Sequence, residues 1–217
     1  METETSKLPQ LSPEEIRVLG ALIEKSKTTP DYYPLTLNGL VTACNQKSSR
    51  SPVVNYDNDT VISTLDTLRK KELSAKVIGD GRALKYRNTL AVKYPLDPAE
   101  TAVLSLLFLR GPLTAGEINS NSGRLHDFEG LNEVQTTLQQ LMEYEPPFVH
   151  HLEKVTGQKE GRYCHLFAEI PDVEELKQNE LEVSGTKTNQ LEDRLELVER
   201  QLSELQIAFD NLMKELS

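Results

Sequence analysis

Leu11-Ser12-Pro13-Glu14-Glu15-Ile16-Arg17-Val18-Leu19-Gly20-Ala21-Leu22 is echoed by Leu96-Asp97-Pro98-Ala99-Glu100-Thr101-Ala102-Val103-Leu104-Ser105-Leu106-Leu107. Each copy opens with a capping residue, Ser12 or Asp97, then proline at the first helical position, then glutamate three residues after the cap. That order is a capping box: the cap oxygen and the glutamate each satisfy a backbone donor that the first turn leaves unpaired. A repeat spaced by most of a small domain predicts two similar modules. Such an architecture suits a protein that holds things, not one that makes or breaks bonds.

The signals after each copy run in the same order. In the first, helix one covers about 13–27 and stops before Thr28-Thr29-Pro30. A second helix, capped by Thr36, covers about 37–46. A third starts near Asp57 or Asp59, sets Val61, Leu65 and Leu68 on one face, and ends near Leu73. Ser74-Ala75-Lys76-Val77-Ile78, Gly79-Asp80-Gly81 and Arg82-Ala83-Leu84-Lys85-Tyr86-Arg87 read as strand, turn and strand.

In the second copy, Arg110-Gly111-Pro112 stops helix one and Thr114-Ala115-Gly116-Glu117 caps helix two. Asn132 is expected to cap helix three, where Val134, Leu138 and Leu141 repeat the earlier spacing. Phe148-Val149-His150-His151-Leu152 and Arg162-Tyr163-Cys164-His165-Leu166-Phe167 make the second hairpin, around a turn containing Gly157. Three helices followed by a β-hairpin is the winged-helix plan, a relative of the helix-turn-helix. The expected fold class is α+β, mainly α, with two tandem winged-helix domains at 11–90 and 91–170 behind a disordered segment at 1–10. Some other small α+β domain is the alternative.

From Pro171 the character changes. Residues 171–188 are acidic, contain Ser184-Gly185-Thr186 and read as a linker. In 189–217, Leu191, Leu195, Val198, Leu202, Leu205, Phe209, Leu212 and Leu216 alternate spacings of four and three. That is the a/d seam of a coiled-coil helix, flanked by Glu192, Arg194 and Glu199. A lone helix this short is marginal, so the seam needs a partner. A second copy of the chain is the leading expectation; another protein, or a groove on the chain itself, are the alternatives.

The net charge of −10 conceals an asymmetry. Residues 11–90 carry 12 Lys and Arg against 9 Asp and Glu, residues 91–170 carry 6 against 11, and residues 171–217 carry 5 against 12. A phosphate-binding surface needs local positive potential, and only the first module supplies it. No run approaches the roughly 20 apolar residues of a membrane span, and residues 1–10 carry no apolar signal region. Two cysteines in apolar surroundings, Cys44 and Cys164, favour a cytoplasmic setting.

Asn45, Gln46, Lys47, Ser48 and Arg50, after helix two, are side-chain types that bond phosphates and base edges. Arg69, Lys70 and Lys71 end helix three, and the hairpin adds Lys76, Arg82, Lys85 and Arg87. These twelve are the expected contacts to double-stranded DNA. Against them, Lys and Arg at a helix end also complement its dipole with no ligand present, and Asp57, Asp59 and Asp66 would lie near phosphates. The third helix of the second module, from Asn132 to Glu145, carries Glu133, Glu143 and Glu145 and no cation. That module is expected to be a spacer or protein contact.

No metal, cofactor or catalytic residue is expected. His150-His151 and Cys164-His165 could offer one ligand from each strand to a given face, short of the four of a structural zinc site. His126-Asp127 stands apart, Gly79-Asp80-Gly81 is a turn, and Cys44 lies in a helical apolar pattern that packs it.

The stretches Pro34-Leu35-Thr36-Leu37-Asn38-Gly39 and Ala43-Cys44-Asn45-Gln46-Lys47-Ser48-Ser49-Arg50-Ser51-Pro52-Val53 resemble the YceH family of bacterial proteins. Further matches are Leu109-Arg110-Gly111-Pro112-Leu113-Thr114-Ala115-Gly116-Glu117, Pro147-Phe148-Val149 and Arg162-Tyr163-Cys164-His165-Leu166-Phe167. Residues 155–161 depart from the family pattern. The resemblance implies a tandem winged-helix fold, a leucine-rich coiled-coil end and a bacterial cytoplasmic setting, and brings no catalytic residue. The functional expectation is a non-enzymatic DNA-binding regulator acting through its first module, associating as a homodimer or with a protein partner through the last helix. A protein–protein adaptor is the rival.

Overall fold

The computed structural model describes residues 7–78, 83–154 and 160–171; the heptad residues Leu191 to Leu216 and Arg82 lie outside them. The chain is α+β, with about half of the described residues helical. The first repeat runs α1 (Pro13–Thr28), β1 (Leu35–Thr36), α2 (Leu37–Cys44), α3 (Asn58–Lys70), β2 (Ser74–Ile78) and β3 (Leu84–Asn88). A short α4 (Leu90–Lys93) leads to α5 (Pro98–Arg110), α6 (Ala115–Ser122), α7 (Leu131–Glu143), β4 (Val149–Leu152) and β5 (Arg162–His165).

Side-chain caps set most of the helix starts. Ser12 with Glu15, and Asp97 with Glu100, form the two capping boxes read from the repeat, and Thr114 with Glu117 forms a third. Thr36 and Asp57 cap α2 and α3 through single bonds to Gly39 and Thr60. The last helix departs from expectation: α7 begins at Leu131 behind Gly130, and Asn132 sits in its first turn instead of capping it. No side chain caps α7; Glu133 instead accepts the amide of Glu129, just ahead of the helix, at 2.7 Å. At the far end of α3, the Leu73 amide returns to Leu68 O and the Glu72 amide to Arg69 O. That Schellman closure needs a left-handed residue, and Glu72 occupies it at φ 62°.

The repeat extends to the sheets. In the first, β3 is central and antiparallel to both β1 and β2, with Leu35 and Lys76 opposite Tyr86. In the second, β4 pairs with β5, and Leu113 bridges Tyr163 through two backbone bonds of 3.1 and 2.7 Å. Leu113 thus stands to Tyr163 as Leu35 stands to Tyr86.

The two repeats share one core. α5 is buried from Ala99 to Leu109, a helix apolar nearly all round and enclosed accordingly. It packs on α1, where Gly20 permits close approach: a Cβ there would lie 2.9 Å from Phe108 Cβ. Leu8 and Leu11 also join the core, and the Leu11 amide bonds Phe167 O at 2.7 Å. Tyr94, Phe108, Tyr144, Phe148 and Phe167 form an aromatic cluster under the second sheet, edge to face except where Phe148 stacks on Phe167. Periodicity does not reveal this feature.

Candidate nucleic-acid interface

The Asn45–Arg50 segment is largely consumed by its own loop. Asn45 accepts the Tyr56 amide and donates to Tyr56 O, both at 2.8 Å, pinning one end of the α2–α3 connection to the other. Arg50, expected to contact phosphate, is instead buried, its side chain having no exposed surface. Its guanidinium donates to both oxygens of Glu24, at 2.9 and 2.6 Å, and to Ala43 O and Gln46 Oε1. Gln46 Oε1 also accepts from Lys25 at 3.4 Å. Burial pushes the Glu24 carboxyl up, but the Arg50 bonds and the charges of Arg50 and Lys25 outweigh it and hold the carboxyl below its ordinary range.

A second buried guanidinium, Arg17, escaped the sequence reading because it lies within the apolar face of α1. It donates to Cys44 O at 3.2 Å and Pro52 O at 2.6 Å. The Ser51 amide then bonds Leu109 O at 2.9 Å. The α2–α3 loop is therefore strapped to α1 by Arg17 and Arg50 and to the second repeat by the Ser51 amide.

Three further expected contacts are engaged in ion pairs. Lys71 lies 2.6 Å from Glu15 and also donates to Gln10 O. Lys76 and Arg69 both meet Asp66, at 2.9 and 3.5 Å. Lys76 chiefly holds the Asp66 carboxyl below its usual range. One of the three carboxylates that weighed against DNA, Asp66, is thus offset by its neighbours, while Asp57 and Asp59 stay exposed.

The remainder are more open. Lys47, Ser48 and Lys70 are exposed. Antiparallel register sets Lys85 opposite Thr36 and Val77, and Arg87 opposite Ala75, on the sheet face turned away from buried Tyr86. The expected contact set is thereby divided into a loop lysine, an α3 terminus and a strip on the sheet. Beside the start of α1, Ser12, Glu15, Thr67, Lys70 and Lys71 line an open groove.

In the second repeat, register pairs His150 with Cys164 and Val149 with His165. His165 is half-buried against the Phe108 ring, with centroids 4.9 Å apart, and desolvation pushes its pKa down to about 4. Burial pushes the Cys44 and Cys164 thiols up, to about 12 and about 11. Both are poor nucleophiles in this state. Among the described residues no three His, Cys, Asp or Glu side chains are grouped to hold a metal ion, and no helix is long and apolar enough to cross a membrane.

The class so defined is an α+β protein of two repeated helix–sheet units joined through one core. A family model described as "Protein of unknown function, DUF480" matches residues 11–158. The UPF0502 protein of Citrifermentans bemidjiense is 49% identical over 162 residues, 75% of each chain. That of Solibacter usitatus is 42% identical over 205 residues, 94% of this chain and 97% of its own. The Shewanella halifaxensis relative is 43% identical over 204 residues, 90% of this chain and 95% of its own. The chain belongs to this bacterial family, DUF480 or UPF0502, which is the YceH family its sequence resembles.

Proposed function

We propose that the protein is a non-catalytic, cytoplasmic DNA-binding regulator built from two winged-helix domains, 11–90 and 91–170, and that the first meets duplex DNA. The observation that carries this reading is the outward face of α3. Helix, short strand, two helices and a hairpin whose second strand is central in the sheet is the winged-helix order, which presents the third helix to the major groove. Along α3, Ile62, Ser63, Thr67 and Lys70 are exposed, and Lys76 and Arg69 offset Asp66.

Lys47, Ser48, Lys70, Lys85 and Arg87 supply the phosphate contacts, with Arg82 added from the hairpin. Asn45, Gln46 and Arg50 act indirectly, by holding the loop. The heptads from Leu191 to Leu216 pair two copies, so that two half-sites are met at once. Sedimentation of the full chain and of Leu202→Asp checks the pairing: a dimer reduced to monomer is expected, and an unchanged mass contradicts it.

The adaptor reading has one observation in its favour. Ile78 and Leu84 face each other across the first hairpin and are 80% and 47% exposed, an apolar pair fit for a protein contact. Titration of the full chain with duplex DNA at two salt concentrations separates the readings. Binding that weakens steeply with salt supports the DNA reading; no binding by the folded chain at low salt overturns it.

A further inference from the structure

Between the carboxylates that make α7 acidic in sequence lies an uncharged polar face. Asn132, Gln135, Thr136, Gln139 and Gln140 are all exposed, and helical spacing sets them on one side of α7. Glu133 accepts the Glu129 amide and lies 3.4 Å from His126 Nε2. Glu143 stands only at the last turn, where Gln139 Nε2 donates to it at 2.7 Å. In a chain of net charge −10, with 27% charged residues, the exposed side of this 13-residue helix carries four amides and a hydroxyl between two carboxylates, Glu133 in the first turn and Glu143 in the last.

We infer that this amide face of α7 reads base edges in the DNA major groove while the first domain holds the phosphates. The inference rests on the DNA-binding reading proposed above and assigns sequence discrimination to the second repeat. An amide presents a donor and an acceptor side by side, the pattern that adenine N6 and N7 complement, and the threonine methyl matches the thymine methyl. Laying such a face in a groove desolvates one charge, that of Glu143 beside Gln139 at its end.

A protein partner fits this face less well. Binding energy at protein interfaces concentrates in aromatic and arginine anchors, and the only large apolar side chain exposed along α7 is Leu131, at its first position. The repeat itself gives α7 the place that α3 holds in the first domain, after a short capped helix and before a hairpin.

The deciding experiment selects a preferred duplex from a randomised pool with the full-length chain. Affinities for that duplex and for an unrelated one of equal length are then compared in wild type and in Gln135→Ala/Gln139→Ala/Gln140→Ala. Alanine is a good helix former, so α7 persists, and circular dichroism checks it. The wild type should prefer its selected duplex by at least about 30-fold, and the variant should lose all but a few-fold of that preference while binding the unrelated duplex as before. A wild type that binds DNA without preference, or a variant that keeps the preference, overturns this inference and leaves the proposed function standing. A variant that keeps the preference but changes in oligomeric mass assigns α7 to a protein contact instead. A wild type that binds no duplex overturns both.

Discussion

The guanidinium of Arg50 is gripped by both carboxylate oxygens of Glu24, at 2.9 and 2.6 Å, with no part of the arginine side chain exposed. A residue whose type suggests phosphate recognition is thus a strap that ties the α2–α3 loop to α1. Removing one partner of a buried pair leaves an uncompensated charge, which costs about 3–5 kcal/mol. Arg50→Ala leaves Glu24 with Lys25 at 3.2 Å, so it is expected to destabilise by about 3 kcal/mol, the low end of that range, read from the urea midpoint. A variant of unchanged stability would show that the pair carries no structural weight.

Glu24→Gln tests the same strap from the acidic side. It leaves the Arg50 charge enclosed, with the Arg17 charge nearby, so it is expected to be as damaging as Arg50→Ala. The double substitution should cost less than the sum of the two, because the pair acts as a unit. Additive losses in a double-mutant cycle would contradict that coupling.

At Gly20 a methyl group would sit 2.9 Å from Phe108 Cβ and 3.0 Å from Leu109 Cδ2. Gly20→Ala therefore forces α1 and α5 apart, at about 1–3 kcal/mol. Gly123→Ala is the control, since nothing lies within 4 Å of its added Cβ. With a helical φ of −53° there, alanine is expected to leave stability unchanged or raise it by up to about 1 kcal/mol. Equal thermal midpoints for the two variants would contradict the close α1–α5 approach.

Glu72 closes α3 at φ 62°, a conformation that costs a side-chain-bearing residue about 1 kcal/mol. Its ion pair with Lys93, at 3.2 Å, is exposed and contributes little. Glu72→Gly should stabilise the chain by about 0.5–1 kcal/mol in thermal or urea melts. Destabilisation would mean that the Lys93 pair outweighs the backbone strain.

His165 supplies a pH dependence of definite sign. Burial depresses its pKa from the ordinary 6.5 to about 4, so the unfolded chain takes up a proton that the folded chain refuses. Stability from this group is complete above pH 6.5 and is lost as the pH falls from 6.5 towards 4. The lowered carboxyls of Glu15 and Glu24 act in the same direction, but only below the ordinary glutamate value of 4.5. His165→Leu is therefore expected to flatten the dependence of the melting temperature between pH 6.5 and 5. An unchanged slope would exclude His165 as its source.

What the sequence discloses here is local. The capping boxes at Ser12 and Asp97, the Val61-Leu65-Leu68 and Val134-Leu138-Leu141 faces and the first hairpin's strands follow from rules acting within a few residues. β1 and α4 are too short to leave a periodic signal. The fates of Arg50, Asn45 and Lys71 depend on Glu24, Tyr56 and Glu15, which carry no mark of those partnerships in the sequence. For α7, a count of charges leaves out placement: Glu133 turns back to the Glu129 amide, and the side-chain amides form an exposed face beside it. Arg17 was legible only as an interruption of an apolar face.

The central claim is that Lys47, Lys70, Lys85 and Arg87 hold duplex DNA, and the salt dependence of binding tests it most directly. Removing each cation that meets a phosphate should reduce the slope of log affinity against log salt by about 1. The full chain should bind a duplex at low salt with a steep slope. Lys47→Ala/Lys70→Ala/Lys85→Ala/Arg87→Ala, folded as the wild type, should bind more weakly with a slope smaller by about 3–4. A folded variant that binds with the wild-type slope, or a wild type that binds no duplex, contradicts the account.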